Sequence, residues 1–330
     1  MSFNTAIMGV TGAVGTEMLA MLEQRNFPVK ELRILASKRS AGKKLRFKGE
    51  ELTVQELTHD SFKGIELVLA SAGAKISKEF APSAVKAGAV VVDNTSYYRM
   101  HEDVPLVVPE INPEAIHDHQ GIIANPNCST IIMVLPLWPL HKKFGVKRVV
   151  ASTYQAASGA GAVAMHELVE ETRAFLEGNT FKRSVIPHQY AFNLFPHNSG
   201  MKENGYCEEE IKMVNETKKI FQEPDFKVTA TCVRVPILRA HSESLNIELS
   251  RDVSVDEVYQ VLNEAEGVEV LEDRSANRWP MPLDASEKDP VFVGRVRKDL
   301  SQPHTIELWV SGDQIRKGAA LNAIQIAEKL

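Results

Sequence analysis

The N-terminus combines an apolar run, a set of regularly spaced glycines and a helical pattern. Thr5–Val10 has the apolar character of a buried strand, and Thr16–Leu22 has helical apolar spacing. Gly9, Gly12 and Gly15 recur at every third position where the strand-like run gives way to the helical pattern. Glycines in this context let the backbone approach a pyrophosphate at the N-terminus of a helix, where unpaired N–H groups favour an anion. A simple turn between strand and helix is the alternative, but the flanking elements favour a nucleotide site.

Further strands alternate with helical segments in the first part of the chain. Glu31–Ala36, Ile65–Ala70 and Ala89–Asp93 are apolar runs, and a helical segment lies near Ser77–Lys86. This alternation predicts a Rossmann-type parallel sheet. Ser71 directly follows Ile65–Ala70, and a small residue there keeps the edge of the sheet open for a cofactor.

The turn after the predicted strand Glu31–Ala36 is basic and rich in hydroxyl groups. Ser37, Arg39 and Ser40 stand about 20 residues after the last glycine, where an NAD site usually has an acidic residue for the ribose hydroxyl. Arg39 with the two serines suits the 2′-phosphate of NADP instead. A solvated loop is the alternative, because further basic residues follow closely.

Cys128 lies between a strand-like run and a helical pattern. Ile122–Ala124 is apolar, Asn125–Asn127 contains a proline, and Ser129 and Thr130 lead into a second apolar segment. This order predicts Cys128 at or next to a helix N-terminus, where the helix dipole favours a thiolate. The same N–H groups could hold an oxyanion formed under attack by the sulfur. Free cysteines are more often small buried hydrophobes, but the polar neighbours argue against that alternative.

Composition excludes several functional classes. The net charge of −5, with both signs interspersed over 330 residues, provides neither a basic field for nucleic acid nor a polybasic tail for a membrane. Three cysteines without a CxxC pair indicate neither a disulfide framework nor a zinc site, and we expect no metal. No run approaches the ~20 apolar residues that span a bilayer. We therefore expect a cytoplasmic protein with no nucleic-acid or membrane partner.

The second half of the chain predicts a different kind of sheet. Val146–Gln155 is a strand followed by a helix over Val163–Leu176, and Lys227–Val235, Ser244–Leu249 and Ile306–Val310 are further strands. Their alternating character predicts a mixed or antiparallel sheet in a second domain.

Two segments outside these strands also have helical patterns. Glu209 and Lys212 fall on one face of a predicted helix, which is more often a solvated salt bridge than a site. Ser311–Gly318 is predicted to open an amphipathic helix, through Leu321 and Ile324, that returns to the first domain.

Taken in order, these motifs resemble a known family along essentially the whole chain. The matching segments are Gly9–Gly15, Ser37–Ser40, Asn127–Thr130, Gln155, Glu209 with Lys212, Arg234 with His241, and Asp313–Asn322. The chain is similar to the aspartate-β-semialdehyde dehydrogenases. The resemblance implies a reversible reaction in which L-aspartate 4-semialdehyde, phosphate and NADP⁺ give L-4-aspartyl phosphate and NADPH. It also implies a place in the biosynthesis of lysine, diaminopimelate, threonine and methionine.

The resemblance implies catalytic and substrate-binding roles. Cys128 is similar to the nucleophile that forms an acyl-thioester, His241 to the acid/base and Gln155 to the residue that orients the acyl group. Arg234 is similar to the arginine that holds the substrate α-carboxylate, and Glu209 to the acid that receives the amino group.

Phosphate and cofactor contacts are implied in the same way. Arg99 and Lys212 match phosphate-binding residues, and Asn127 is also predicted to bind substrate or phosphate. Without the resemblance, a surface position for Arg99 is as good a prediction as an anion-binding one. Where many relatives have Asn, this chain has Gln314, whose amide could also bond the nicotinamide carboxamide. The cofactor-binding positions are Gly9, Thr11, Gly12, Ala13, Val14, Ser37, Arg39, Ser40, Ser71, Ser158, Gly159 and Gln314.

The fold class that follows is α/β. A Rossmann-type domain of residues 1–128 and 313–330 binds NADP, and an α+β domain of residues 129–312 carries catalysis and the contacts of a homodimer. A fold-sharing alternative is an N-acetyl-γ-glutamyl-phosphate reductase, which Glu209, Lys212 and Arg234 disfavour because they suit a free α-amino acid. A phosphorylating sugar-aldehyde dehydrogenase is more distant, and an inactive NADP-binding sensor is disfavoured by the retained Cys128 and His241.

Overall fold

The computed structural model describes residues 2–330, which form two compact units. The first unit runs to Asn127 and also contains Ala319–Leu330. The second unit is Cys128–Gly318.

The first unit is built on a six-stranded parallel sheet in the order β5-β2-β1-β6-β7-β8. Its elements are β1 Phe3–Met8, α1 Ala13–Gln24, β2 Val29–Ala36, a β3 Lys44–Phe47 and β4 Glu50–Thr53 hairpin, β5 Gln55–Glu56, β6 Leu67–Ala70, α2 Ala74–Lys86, β7 Val90–Asp93 and β8 Ile122–Ala124. The chain winds outward in both directions from β1 and β6. Open α/β sheets bind ligands at this kind of reversal, beyond the carboxyl ends of the strands.

Burial explains why these segments form a parallel sheet. All of β6 and the last four residues of β1 are buried, as expected for strands covered on both faces. Met18, Leu19, Met21 and Leu22 of α1 join the same core. Helical spacing places these side chains on one face of α1, so the helix packs against the sheet.

The second unit is built on a seven-stranded mixed sheet in the order β10-β11-β9-β12-β15-β14-β13. Its elements are α3 Cys128–Phe144, β9 Val146–Gln155, α4 Ala162–Leu176, β10 Phe195–Pro196, α5 Glu208–Phe221, β11 Val228–Arg234, β12 His241–Leu249, α6 Val255–Asn263, β13 Val268–Val270, α7 Pro282–Ala285, β14 Val291–Lys298 and β15 Thr305–Gly312. Strand β9 pairs parallel with β11 and antiparallel with β12.

Strand alternation sets which side chains share a face of this sheet. Ser242 pairs with Tyr154 and Glu243 with Thr153 across β12 and β9. Because side chains alternate along a strand, His241 lies beside Gln155 and on the same face as Glu243 and Thr153.

The predicted fold class is confirmed, with differences in single elements. We did not predict α6 or β14, and the basic residues that follow the Ser37–Ser40 turn lie in or beside the β3–β4 hairpin. The C-terminal prediction was wrong in detail. β15 extends to Gly312, Arg316–Ala320 is a π-helical turn, and α8 spans only Leu321–Ala327. All but one of the α8 residues are buried, so this helix is enclosed by its unit and not amphipathic.

Candidate active site

The first unit contains a cavity of about 370 Å³ at the carboxyl ends of its strands. Its lining comprises Gly9, Thr11, Gly12, Ala36, Ser37, Leu57, Ser71, Ala72, Ile76 and Phe80. Five of the predicted cofactor-binding residues, Gly9, Thr11, Gly12, Ser37 and Ser71, are therefore brought together in one cavity.

The glycines allow close packing of the backbone in the turn at the start of α1. Gly9 has φ +92°, and a Cβ there would lie 2.7 Å from the Ser71 carbonyl oxygen. A Cβ on Gly15 would lie 2.2 Å from the Gly9 carbonyl oxygen. Ala13 and Val14 open α1, whose first turn contains no acidic residue. The N–H groups at the start of α1 can donate to an anionic group, so this turn fits the pyrophosphate of a dinucleotide.

The basic turn after β2 presents two of its three predicted contacts to solvent. Ser37 and Arg39 are exposed, whereas Ser40 is buried and its N–H donates to the Ser37 carbonyl at 2.8 Å. Arg39 lies two residues after Ser37, which lines the cavity, and the turn Lys38–Ser40 carries no carboxylate that would repel a phosphate.

Arg99 lies in the interior of the first unit. Its side chain is 93% buried, since its relative exposure is 7%. Nε donates to the Asn125 carbonyl and an Nη donates to the Asn94 carbonyl, both at 2.9 Å. The surface-arginine alternative is therefore wrong. The Asn125 side chain forms hydrogen bonds with the side chains of Asn94 and Asn322, each at 2.7 Å. Asn127, two residues later in the chain, is also buried.

Cys128 is the first residue of α3 in the second unit. The first turn of α3 has no acidic residue, and Cys128 is partly exposed, so it is not the fully buried hydrophobe of the alternative prediction. Gly318 packs closely against it: a Cβ on Gly318 would lie 2.9 Å from the Cys128 Cβ. The helix N-terminus and the partial exposure together make this position suitable for a nucleophilic thiolate.

Gln155 connects the start of α3 with the start of α5. Its Nε2 donates to Ser129 Oγ at 2.9 Å and to Glu209 Oε1 at 3.2 Å. The other oxygen of Glu209 accepts from Lys212 Nζ at 3.0 Å. Glu209 is 5% exposed, so this pair is not the solvated salt bridge that spacing alone had indicated.

The backbone of Ala156 holds both Arg234 and His241. Its N–H donates to His241 Nδ1 at 3.0 Å, and its carbonyl accepts from Arg234 Nη1 at 3.1 Å. Gly159 faces the same groups, because a Cβ there would lie 3.2 Å from His241 Nε2 and 3.1 Å from Arg234 Nη1. The predicted residues Gln155, Glu209, Arg234 and His241 therefore converge in one unit.

His241 is a neutral imidazole with a defined tautomer. Burial, followed by the positive charge of Arg234, lowers the pKa of His241 to about 3. Nδ1 accepts the Ala156 N–H, so the ring proton of the neutral form is on Nε2. Nε2 can then donate to an oxygen that develops negative charge, and it can return as a base once that proton has left.

Three buried atoms around this cluster lack a hydrogen-bond partner within the described part of the chain. They are Gln155 Oε1, Arg234 Nε and His241 Nε2. Buried polar groups are almost always paired, so atoms of this kind in one cluster indicate a polar ligand.

The side chains of Ser158 and Gln314 are hydrogen-bonded to each other. Gln314 Nε2 donates to Ser158 Oγ, and Gln314 Oε1 accepts the Ala240 N–H at 2.8 Å. The Gln314 amide that we assigned to the nicotinamide therefore already has protein partners on both its nitrogen and its oxygen.

Sequence reasoning missed other residues of this cluster. Ser129 is the partner of Gln155, and its position beside Cys128 was the available signal. His197 accepts from the Ser199 N–H at 3.2 Å, and burial, then Arg234, lowers the pKa of His197 to about 4. Ser199 Oγ accepts the Glu209 N–H at 3.1 Å, so this loop holds the first turn of α5. Nothing in the local sequence singles out His197 among the histidines.

Within residues 2–330, no group of three His, Cys, Asp or Glu side chains could hold a metal ion. No helix in the same residues has the length and apolarity needed to cross a membrane.

Comparison with known proteins places the chain in a family. Residues 4–119 match the model described as semialdehyde dehydrogenase, NAD binding domain, and residues 137–317 match semialdehyde dehydrogenase, dimerisation domain. An aspartate-semialdehyde dehydrogenase of Synechocystis sp. is 57% identical over 98% of this chain and 96% of that protein. The chain belongs to the aspartate-semialdehyde dehydrogenase family. It is accordingly an oxidoreductase with a nucleotide-binding domain.

Other aspartate-semialdehyde dehydrogenases match over the same length. The Bacillus subtilis protein is 51% identical over 99% of this chain and 97% of that protein. A crystal structure of aspartate semialdehyde dehydrogenase II from Vibrio cholerae, complexed with ASA, has a TM-score of 0.97 at 45% identity and covers 100% of this chain and 98% of that one. A Candida albicans aspartate semialdehyde dehydrogenase structure with NADP has a TM-score of 0.76 at 28% identity, covering 100% and 98%.

Proposed function

We propose that this chain catalyses the reversible conversion of L-aspartate 4-semialdehyde, phosphate and NADP⁺ into L-4-aspartyl phosphate, NADPH and a proton. The observation that carries the proposal is the buried cluster of Gln155, Arg234 and His241, each with a polar atom unpartnered within residues 2–330. The Vibrio cholerae relative with bound ASA supports the same substrate here.

NADP is the proposed cofactor. Support comes from the exposed Arg39 and Ser37 next to the cavity, from the absence of an acidic residue in the Lys38–Ser40 turn, and from the NADP in the Candida albicans relative. Bound NADPH supplies hydride in the direction of aldehyde formation. Thr11–Val14 would hold the pyrophosphate through backbone N–H groups, and Arg39 would bind the 2′-phosphate.

Cys128 is the proposed nucleophile. In the direction of aldehyde formation, its thiolate attacks the acyl carbon of aspartyl phosphate; the C–S bond forms, the C–O bond to phosphate breaks, and phosphate leaves. The resulting thioester accepts hydride more readily than a carboxylate does. The thiohemiacetal that follows releases the aldehyde and returns the thiolate.

His241 and Gln155 act on the oxygen of the acyl group. His241 donates its Nε2 proton as charge develops on that oxygen, and takes the proton back when the thiohemiacetal collapses. The lowered pKa of His241 keeps the ring neutral near pH 7, so the donor is an imidazole. Gln155, fixed by Ser129 and Glu209, has its amide oxygen left, which cannot bond the acyl oxygen itself but can accept the O–H of the thiohemiacetal and so orient the group.

The other polar residues bind the ends of the substrate. Arg234 binds the α-carboxylate and Glu209 receives the α-amino group, while Arg99, Lys212 and Asn127 keep the substrate and phosphate roles that the resemblance implies. A buried carboxylate at Glu209 favours a free amino group over an N-acetyl group, which argues against the glutamyl-phosphate reductase alternative. We also propose a homodimer, since residues 137–317 match a dimerisation domain. The cytoplasmic location stays a prediction.

The test is an assay of NADP⁺ reduction by aspartate semialdehyde with and without phosphate. We expect activity that requires phosphate in the wild type, and none in Cys128→Ala, which should still bind NADP⁺. Cys207→Ala is the matched control, because Cys207 also lies at a helix N-terminus but is buried. Turnover in Cys128→Ala would refute the thioester, and a wild type that fails to use this aldehyde would refute the proposed function.

A further inference from the structure

The residue that precedes His241 has an unusual backbone conformation. Ala240 has φ +69°, in the left-handed region that residues other than glycine rarely adopt. Its methyl group is completely buried and packs with Ala285 and Phe292. A strained residue persists only where its surroundings fix it, and such residues concentrate at functional sites.

Two consecutive residues after β15 hold this turn. Asp313 Oδ2 accepts from Arg239 Nε at 2.7 Å, and Gln314 Oε1 accepts from the Ala240 N–H at 2.8 Å. Asp313 is completely buried, and its second oxygen accepts the N–H groups of Ile315 and Arg316 at 2.8 and 3.1 Å. We call the Asp313–Gln314 pair, with its bonds to Arg239 and Ala240, the clamp.

The clamp lies directly before the first residue of β12, His241, which carries the imidazole. His241 pairs with Gly312 across β12 and β15, so Arg239 and Ala240 lie opposite the residues that follow Gly312. The turn therefore sets where β12 begins and the direction in which the His241 side chain leaves the backbone. The Ala156 N–H then fixes the ring orientation from the other side.

We propose that the clamp positions the His241 imidazole by holding Ala240 in its left-handed turn. Arg239, Asp313 and Gln314 are positioning residues in this proposal, and it extends the role of Gln314 beyond a cofactor contact. The proposal rests on the proposed function, because turnover is its main readout.

The decisive variant is Arg239→Met, which keeps the apolar stem, removes the guanidinium donor to Asp313 and also breaks the Arg239–Glu287 pair, while the Glu287 N–H still donates to Asp313 Oδ2 at 2.6 Å. We expect kcat to fall about tenfold or more, because small misplacements of a reacting group have effects of this size. The KM values for NADP⁺ and for the aldehyde should stay within twofold, since Arg239 is not a proposed ligand contact. Arg278→Met is the matched control: it removes the exposed Arg278–Asp284 pair and should leave kcat unchanged.

Two further measurements separate positioning from a general loss of structure. Arg239→Lys restores a donor for Asp313, so its kcat should lie between those of the wild type and Arg239→Met. Two-bond ¹H–¹⁵N spectra of histidine-labelled protein should show the Nε2–H tautomer of His241 in the wild type and a mixture of tautomers in Arg239→Met.

The outcomes separate the two proposals. A wild type inactive toward aspartate semialdehyde refutes the proposed function, and the NMR comparison still tests the clamp. An active wild type with Arg239→Met within twofold of it in kcat, and with an unchanged His241 spectrum, overturns the clamp alone. Gln314→Met tests the second contact: a loss confined to NADP⁺ affinity would overturn the positioning role of Gln314.

Discussion

Gly318 provides the sharpest structural prediction, because a single methyl group added there would reach the proposed nucleophile. A Cβ on Gly318 would lie 2.9 Å from the Cys128 Cβ and 3.3 Å from its Cα. Non-bonded carbon atoms prefer separations of about 3.5–4.0 Å, so the two residues must part by about 0.6 Å or more. The two atoms met are the Cβ and Cα of Cys128, so rotation of a side chain cannot relieve the contact, and the start of α3 or the turn that carries Gly318 must shift.

The expected cost follows from the geometry of attack. A displacement approaching 1 Å can reduce a rate about 100-fold, which corresponds to about 2.7 kcal/mol of activation free energy. We therefore expect Gly318→Ala to lower kcat by about 10- to 100-fold in the phosphate-dependent assay, with the KM for NADP⁺ little changed. Gly318 does not have a positive φ, so alanine adds no backbone strain there.

Gly200→Ala is the control for this experiment. Gly200 also lacks a positive φ, and its added Cβ would meet only the flexible carboxylate of Glu208 at 3.3 Å. Its kcat should match the wild type. A Gly318→Ala enzyme with wild-type kcat would show that the spacing between Gly318 and Cys128 does not limit the reaction.

The remaining predictions concern the cofactor and the buried ionisable groups. Arg39→Ala should raise the KM for NADP⁺ far more than that for the aldehyde, as steady-state kinetics will show, and an unaltered preference for NADP over NAD would refute the 2′-phosphate assignment. The pKa of His241 is about 3 in the folded protein and about 6.5 when unfolded, so below pH 6.5 the unfolded chain binds a proton that the folded one does not. The free energy of unfolding should therefore fall by about 1.4 kcal/mol per pH unit from pH 6.5 towards 3 through this residue, and urea unfolding of His241→Asn should lack that slope. The effect of Glu243 has the opposite sign: burial raises its pKa well above the ordinary value, so its carboxyl keeps its proton to a higher pH in the folded protein than in the unfolded chain, and the associated stability is lost as pH rises above about 4.5. Glu243→Gln should thus stabilise the protein more at pH 8 than at pH 4, and equal effects at both would contradict a protonated Glu243.

The elements predicted from sequence are those whose pattern is local. The β1 strand, the glycine turn and α1 follow from apolar spacing within a single segment, and Cys128 begins a helix as its neighbours indicate. The C-terminal helix was harder, because its burial depends on the core formed by distant strands. A pattern of apolar residues does not reveal that the remaining face is also covered.

The contacts that complete the buried polar cluster and the turn before His241 are non-local. Gln155 meets Glu209 although 54 residues separate them, and Arg239 meets Asp313 across 74 residues. The family resemblance indicated Gln155 and Glu209 but not Arg239, and no turn motif predicts a left-handed Ala240. Such features arise from strand register, which a single sequence does not specify over this distance.

Ala156 has an unusual consequence for mutagenesis. Its hold on His241 and Arg234 is made of peptide atoms, which every amino acid except proline supplies in full. Alanine scanning does not test this position, because residue 156 is already alanine, and a glycine there would keep both contacts. Only a chemical change to the main chain itself, such as an amide-to-ester replacement between Gln155 and Ala156, would delete the donor and expose how much the imidazole depends on it.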